Sequence, residues 1–393
     1  MRYTSRAMPD PVYLDNAATT PMDPRVLEAM LPHLGAARGN PSSLHARGVA
    51  ARGAVEAARE HVAALLGASP GEIFFTAGGT ESDNAAVLGL ARAADPGKRH
   101  AVVSMVEHAA VREAARRVEA EGFEVTWVGV DKHGLVDPAE FASALRPNTA
   151  FASVVWANNE VGTVQPIREL AGACARRGIP LHTDAVQAAG RIPLDVREAP
   201  VSTLAISGHK LYGPQGVGAL YVRGGTEIEP VVFGGGQEGG LRSGTENVAG
   251  VVGLGEAARL AGEELGERVR HETGLRDRVI SGVLTLPDVE LNGHPEVRLS
   301  NNAHFTVRGV GAESLVLVLD SLGYAIGSGS ACSGGGHQAS GVLLALGKND
   351  QDALSAARIT VGKDNTAGEV DGFLEAFAGA TQRLRELSPV YAN

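Results

Sequence analysis

The sequence predicts an α/β fold: a mainly parallel central sheet covered by helices on both faces, with a smaller α+β unit after it. Three observations carry this. Between residues 72 and 222, short apolar runs alternate with helical patterns, the mark of parallel strands joined by helical crossovers. After Gly234 the rhythm changes to a glycine-rich loop, one long helix and then a few separated strands. The 393 residues also suffice for a large domain and a small one. A large domain is expected over 15–265 and a small one over 266–393, with residues 1–14 packing on the latter.

Taken in order, Tyr13-Leu14-Asp15 is a short strand-like start. Asp23-Pro24 reads as an N-cap with proline at the first helical position, opening a helix to about Leu34. Gly39-Asn40-Pro41-Ser42 is turn chemistry, and an alanine-rich helix over Ser43–Leu66 follows. Strands are expected at Glu72–Thr76, Arg99–Ser104, Glu124–Val130, Ala150–Trp156 and Pro180–Thr183, and on both sides of Lys210. Helices are expected at Thr80–Ala94, His108–Glu121, from Asp137-Pro138, and at Pro166–Arg177. Gly234–Gly240 reads as a flexible loop. Beyond it come a helix over Glu246–His271, strands near Val289–Leu291, Ala303–Val307 and Ala357–Val361, and helices at Glu313–Leu322 and Thr366–Leu387.

The formal net charge is -10 and no Lys/Arg run stands out, which argues against nucleic acid or an anionic membrane as the main partner. No apolar run approaches the roughly 20 residues of a membrane span, and the first residues lack the apolar core of a signal peptide. The two cysteines, Cys174 and Cys332, supply neither a disulfide framework nor four cluster ligands. A cytoplasmic protein without a bound metal is expected.

Lysine is scarce: Lys98, Lys132, Lys210, Lys348 and Lys363 are all there are. Only Lys210 lies close to apolar, strand-like chain, where desolvation can prepare an amine for Schiff-base chemistry; a surface lysine beside a turn is the plainer alternative. Gly78-Gly79-Thr80 joins a strand to a helix. Backbone N–H groups and the helix dipole there suit a phosphate, with Thr80 capping the helix or binding the anion; an ordinary capped turn is the alternative. His108 follows a strand, placed to stack on a flat ligand or to shuttle a proton, or simply to start a helix. Asp184 ends another strand. A buried carboxylate there needs a partner, and a protonated pyridine nitrogen is one; a helix N-cap is the other reading. All these groups end strands of one sheet, where ligands of open α/β folds bind.

Cys332 lies among glycines and serines, a setting for a nucleophile on a mobile arm. Cys174 has apolar helix neighbours and reads as a packing residue. Arg358 starts a late strand and can clamp a carboxylate, unless it forms a surface salt bridge.

Together the segments resemble a known family. Tyr13-Leu14-Asp15-Asn16-Ala17-Ala18-Thr19-Thr20-Pro21, Thr80-Glu81-Ser82-Asp83-Asn84, Glu107-His108, Asn158-Asn159-Glu160-Val161-Gly162, Ser207-Gly208-His209-Lys210-Leu211-Tyr212-Gly213-Pro214, Arg242-Ser243-Gly244-Thr245 and Gly329-Ser330-Ala331-Cys332 are similar to the NifS-like cysteine desulfurases. These are pyridoxal-phosphate enzymes of the class V aminotransferase group. The resemblance implies a fold-type-I homodimer in which Lys210 carries pyridoxal 5′-phosphate. It implies that Asp184 pairs with the ring nitrogen, that Gln187 and Asn159 contact the ring oxygen and substrate, and that His108 stacks on the ring. Gly79, Thr80, Ser207 and His209 would hold the phosphate, with Thr245 reaching it from the other subunit. Arg358 would bind the carboxylate of L-cysteine, and Cys332 would take its sulfur as a persulfide. The sulfur would pass to a protein acceptor, an iron–sulfur scaffold or a tRNA-thiolation protein.

The chain departs from the family at Gly239, where arginine is common. It departs at Gln338-Ala339-Ser340, in place of Glu-Pro-Ser, and at the C-terminus, where longer relatives extend a tail near the scaffold site. A selenocysteine lyase would use the same fold and cofactor. An aminotransferase would have no use for Cys332, and a bare sulfur carrier none for Lys210, Asp184 and His108.

Overall fold

The computed structural model describes residues 11–328 and 339–387. The chain enters through a two-residue strand β1 (Val12–Tyr13), then α1 (Pro24–Leu34) and α2 (Ala46–Leu66). Asp23 caps α1, its Oδ1 accepting from the Arg25 N–H at 2.9 Å. α2 stops at Gly67, whose φ of 66° lies in the left-handed region that favours glycine.

The alternating part follows as β2 (Ile73–Thr76), α3 (Gly79–Ala93), β3 (His100–Ser104), α4 (Ala109–Ala120), β4 (Glu124–Val128), α5 (Pro138–Ala144), β5 (Thr149–Ser153), α6 (Ile167–Ala175), β6 (Leu181–Asp184), β7 (Thr203–Ser207) and β8 (Gly218–Val222). The seven strands form one sheet in the order β2-β8-β7-β6-β5-β3-β4. From β7 to β4 every pair is parallel. β8 is antiparallel to both its neighbours, so β2 runs with the parallel set. The C-terminal ends of β2, β3, β5, β6 and β7 therefore share one edge. β3, β5, β7 and β8 are buried along their whole length, which is why they read as apolar runs rather than alternating ones.

α7 (Val248–Val283) is longer than the sequence reading gave it; His271 is not its end. His271-Glu272-Thr273-Gly274 looks like a stop signal. Yet Leu275, Val279 and Val283, spaced four apart, are buried in the second apolar core, and that face carries the helix onward. Residue 265 thus falls inside a continuous helix. Leu254 to Ala261 pack in the first core and Leu275 to Val283 in the second.

Beyond α7 come β9 (Val289–Asn292), β10 (Asn302–Val307), α8 (Ala312–Ser321), β11 (Tyr324–Ala325), α9 (Gly341–Ala345), α10 (Asp350–Ala353), β12 (Ala356–Thr360) and α11 (Ala367–Glu386). α9 and α10 pack in a separate cluster with Val106, Val155 and Val161, and the others build the second core. β12, β10 and β9 form an antiparallel sheet in that order. β1 pairs in parallel with β11, and Leu14 is buried in this core.

The glycine loop at 234–240 is not the free segment expected. Glu238 is buried, and its carboxylate takes both Nη1 and Nη2 of Arg59, at 2.8 and 2.9 Å, together with the Phe75 N–H. This two-pronged ion pair ties the loop to β2. Gly239 has a φ of 63°, a conformation in which arginine would be strained, so the departure from the family pattern matches the backbone. Among the described residues no helix is long and apolar enough to cross a membrane.

Candidate active site

β7 ends at Ser207, and a single 3₁₀ turn, Gly208–Lys210, carries the chain on. Lys210 is thus three residues past the strand, not on it. Its Nζ donates to the carbonyls of Ala17 and Ala18, both at 2.6 Å. These belong to the segment after β1, whose fold is held against β12 by Asn16 Nδ2 donating to the Thr360 carbonyl at 2.8 Å.

A cavity of about 340 Å³ opens at this sheet edge. Gly79, Thr80, His108, Asn159, Asp184, Gln187, Ser207, His209, Lys210 and Arg358 all line it, with Asp83, Val155 and Val186 among the rest of its wall. An adjoining recess of about 840 Å³ shares Gly79, Thr80, Ser207 and His209 and adds Gly78 and Gly216. The strand ends that the alternation pattern marked therefore converge, and Arg358 joins them from the other sheet.

Local chemistry explains each placement. α3 begins at Gly79 with Gly78 as its N-cap and no capping side chain; Thr80 lies in the first turn, so it does not cap the helix. A Cβ on Gly79 would come 2.8 Å from Cγ2 of Val186, so glycine lets this helix start press against the β6 side of the cavity. His108 caps α4, its Nδ1 accepting from the Ala110 N–H at 3.2 Å. It is a helix-start histidine and a cavity wall at once. Asp184 accepts from the Val186 N–H at 2.9 Å, the Asx-turn bond that its position after a strand suggests. Gln187 donates to the Ala17 carbonyl at 2.9 Å.

Arg358 is no surface salt bridge. It is buried in β12, Nη2 bonds Asp15 at 2.8 Å, and Nη1 donates to the Asn159 carbonyl at 3.1 Å. Thr245 is exposed and does not line the cavity of its own chain. Cys332 lies outside the described residues, but the chain on both sides of its segment is fixed at the cavity. Gly327 exchanges main-chain hydrogen bonds with Arg358 at 2.8 and 3.0 Å. Ser340, the N-cap of α9, donates to Glu160 at 2.5 Å. Cys174 is buried, and burial pushes its thiol up to about 12, so it stays an unreactive packing residue at neutral pH.

Asp83 in the cavity wall and Glu107 buried behind it are acids that the sequence reading does not single out. Asp83 is buried in α3, and burial pushes its carboxyl well up, with Asp184 and then Glu107 adding to the shift. Burial likewise raises Asp184, against the pull of His108 and Lys210. Glu107 is pushed up to about 8 by burial, although Ser104 and the Val155 N–H hydrogen-bond its carboxylate. Burial and then Lys210 lower His209 to about 4, so this histidine faces the recess neutral at pH 7. Only the helical register could have signalled Asp83: it sits one turn after Gly79 on the face that α3 turns to the sheet.

Residues 12–373 match the family described as aminotransferase class-V. The cysteine desulfurase IscS of Methanosarcina thermophila is 45% identical over 379 residues, 96% of this chain and 94% of that one. The chain belongs to the NifS-like cysteine desulfurases of the class-V aminotransferase family. Desulfurases at comparable distance include the IscS of Neisseria meningitidis, 45% identical over 97% of this chain and 95% of its own. A solved NifS-like protein superposes with a TM-score of 0.89 at 37% identity, over 95% of this chain and all of the other. The NifS-like protein of Rickettsia africae gives 0.85 at 29% identity, over 95% and 99%. The shared desulfurase fold is the fold-type-I arrangement with its mostly parallel sheet.

Proposed function

We propose that this desulfurase binds pyridoxal 5′-phosphate and removes sulfur from L-cysteine. The products are L-alanine and a Cys332 persulfide, held for a protein acceptor in iron–sulfur cluster assembly or tRNA thiolation. The carrying observation is that an amine, Lys210, a buried acid, Asp184, and a buried guanidinium, Arg358, meet in one cavity. The reading includes a homodimer and a cytoplasmic setting. Exposed Leu27, Leu31, Leu34 and Leu44 form apolar surface of the kind a second copy covers, and Thr245 is exposed to reach across.

The residues present suit the cofactor. Among the described residues, Oε1 of Gln187 and Nε of Arg358 are buried with no protein partner, and such open polar atoms mark places for a ligand. The uncapped start of α3 at Gly79, with Thr80, Ser207 and His209 around it, suits a phosphate. Lys210 would attach the cofactor, Asp184 would face its ring nitrogen, and His108 would lie against the ring. Gln187 and Asn159 would meet the ring oxygen and the substrate.

When bound, the cofactor supplies an electron sink for charge that develops at the substrate Cα. The chain's own residues do the rest. Arg358 binds the substrate carboxylate and fixes which Cα substituent faces Lys210. The Lys210 amine, held by two carbonyls, is the base placed to take and return the Cα proton. The Cys332 thiolate attacks the substrate sulfur; an S–S bond forms as the Cβ–S bond breaks, and Cβ gains a proton. L-cysteine and a thiol thus become L-alanine and a persulfide, with no outside oxidant or reductant. Loaded enzyme given L-cysteine and a thiol acceptor should release L-alanine and sulfide in equal amounts without any keto acid. Alanine that appears only when a keto acid is added would replace desulfuration with transamination.

A further inference from the structure

Asp83 is a buried acid for which the mechanism above has no use. It is 1% exposed and Asp184 is 5% exposed. One carboxylate oxygen from each, and one ring nitrogen of His108, lie within 4.8 Å of one another. Two carboxyls this close and this dry do not both ionise; such a pair holds one proton between them.

The surroundings decide which acid keeps the proton. Oδ1 of Asp83 is 3.2 Å from Nε2 of His182, whose Nδ1 is 2.9 Å from the Thr203 hydroxyl. Burial lowers His182 to about 3, so this imidazole is neutral at pH 7. It offers no counter-charge, but it can accept an O–H. Both acids line the cavity, but Asp184 has in addition the charges of His108 and Lys210 drawing its carboxyl down and the Val186 N–H bonded to it. The titratable groups around the pair are thus His182 on β6, His108 and Glu107 at the start of α4, and Lys210 after β7. Glu107 is itself raised to about 8 by burial and adds little charge at pH 7.

We propose that Asp83 is a neutral reserve acid, a positioning residue that shares one negative charge with Asp184, so that the cofactor's ring nitrogen meets a single carboxylate. The charge sits on Asp184 and the proton on Asp83. This rests on the pyridoxal-phosphate reading of the cavity. It has a consequence that a packing role does not: with Asp184 neutralised, Asp83 loses its like-charged neighbour and takes the charge.

The test is a double-mutant cycle on apoenzyme titrated with pyridoxal phosphate, read by the absorbance of the bound cofactor and its dissociation constant. Asp83→Asn keeps the shape and the neutrality, so it should bind within about 2-fold of wild type, with the absorbance band unmoved. Asp184→Asn should weaken binding about 10-fold or more, and the double variant about 10-fold further still. Asp83→Ser, smaller and also neutral, carries the same expectation should the amide not be accommodated. A 10-fold loss or a shifted band in Asp83→Asn alone would place charge on Asp83 and overturn the assignment. A double variant no worse than Asp184→Asn would show that no reserve exists. Wild-type apoenzyme that takes up no pyridoxal phosphate would sink the cofactor reading, and this inference with it.

Discussion

Replacing Lys210 by alanine should abolish covalent attachment of pyridoxal phosphate and its absorbance band, and turnover should fall by about three orders of magnitude or more, the scale on which loss of a covalent group acts. The geometry explains so large an effect. Nζ is held at 2.6 Å by two carbonyls of the Ala17-Ala18 turn, and these are anchored to β12 by Asn16. The amine is thus aimed by the chain after β1 and, through it, by β12, and among the described residues no other lysine lines the cavity. Pyridoxal phosphate retained non-covalently by the variant would wash out on gel filtration, whereas wild type keeps it. An unchanged spectrum in Lys210→Ala would refute the assignment of Lys210.

Cys332→Ala separates binding from sulfur transfer. The cofactor band, and its change on adding L-cysteine, should persist, because Lys210, Asp184 and Arg358 are untouched. Alanine release should fall about 10³-fold or more, since the variant has no nucleophile for the substrate sulfur. Cys174 cannot substitute, because burial holds its thiol near 12 and seals it in a helix face. Normal alanine release from the variant would remove the persulfide from the mechanism.

Much of this was legible in the chain. Parallel strands buried on both faces leave apolar runs, and the polar residues that follow them stand out by contrast; that marks Lys210, Asp184 and His108, a glycine pair between strand and helix marks Gly79, and the structure brings all four to one cavity. Arg358 was harder, because its burial depends on Asp15 and Asn159, each far from it in sequence. The length of α7 was misread because Gly274 resembles a helix stop, while the face formed by Leu275, Val279 and Val283 only makes sense against the second core. Glu238 was hidden in glycines until its pairing with Arg59 appeared. Asp83 is signalled only by its helical register and His182 not at all, because a single polar residue on an apolar face says little until its partner is known. Gly239 shows the converse case, in which a departure from the family pattern answers to a local backbone angle.

The central claim is that sulfur leaves L-cysteine onto Cys332. The most direct measurement is the mass of the Cys332 peptide after pure loaded enzyme meets L-cysteine without reductant. The account predicts that peptide one sulfur atom heavier, with the addition removed by reductant and absent from the Cys174 peptide. An unmodified Cys332 peptide, from enzyme shown to carry its cofactor, would contradict it.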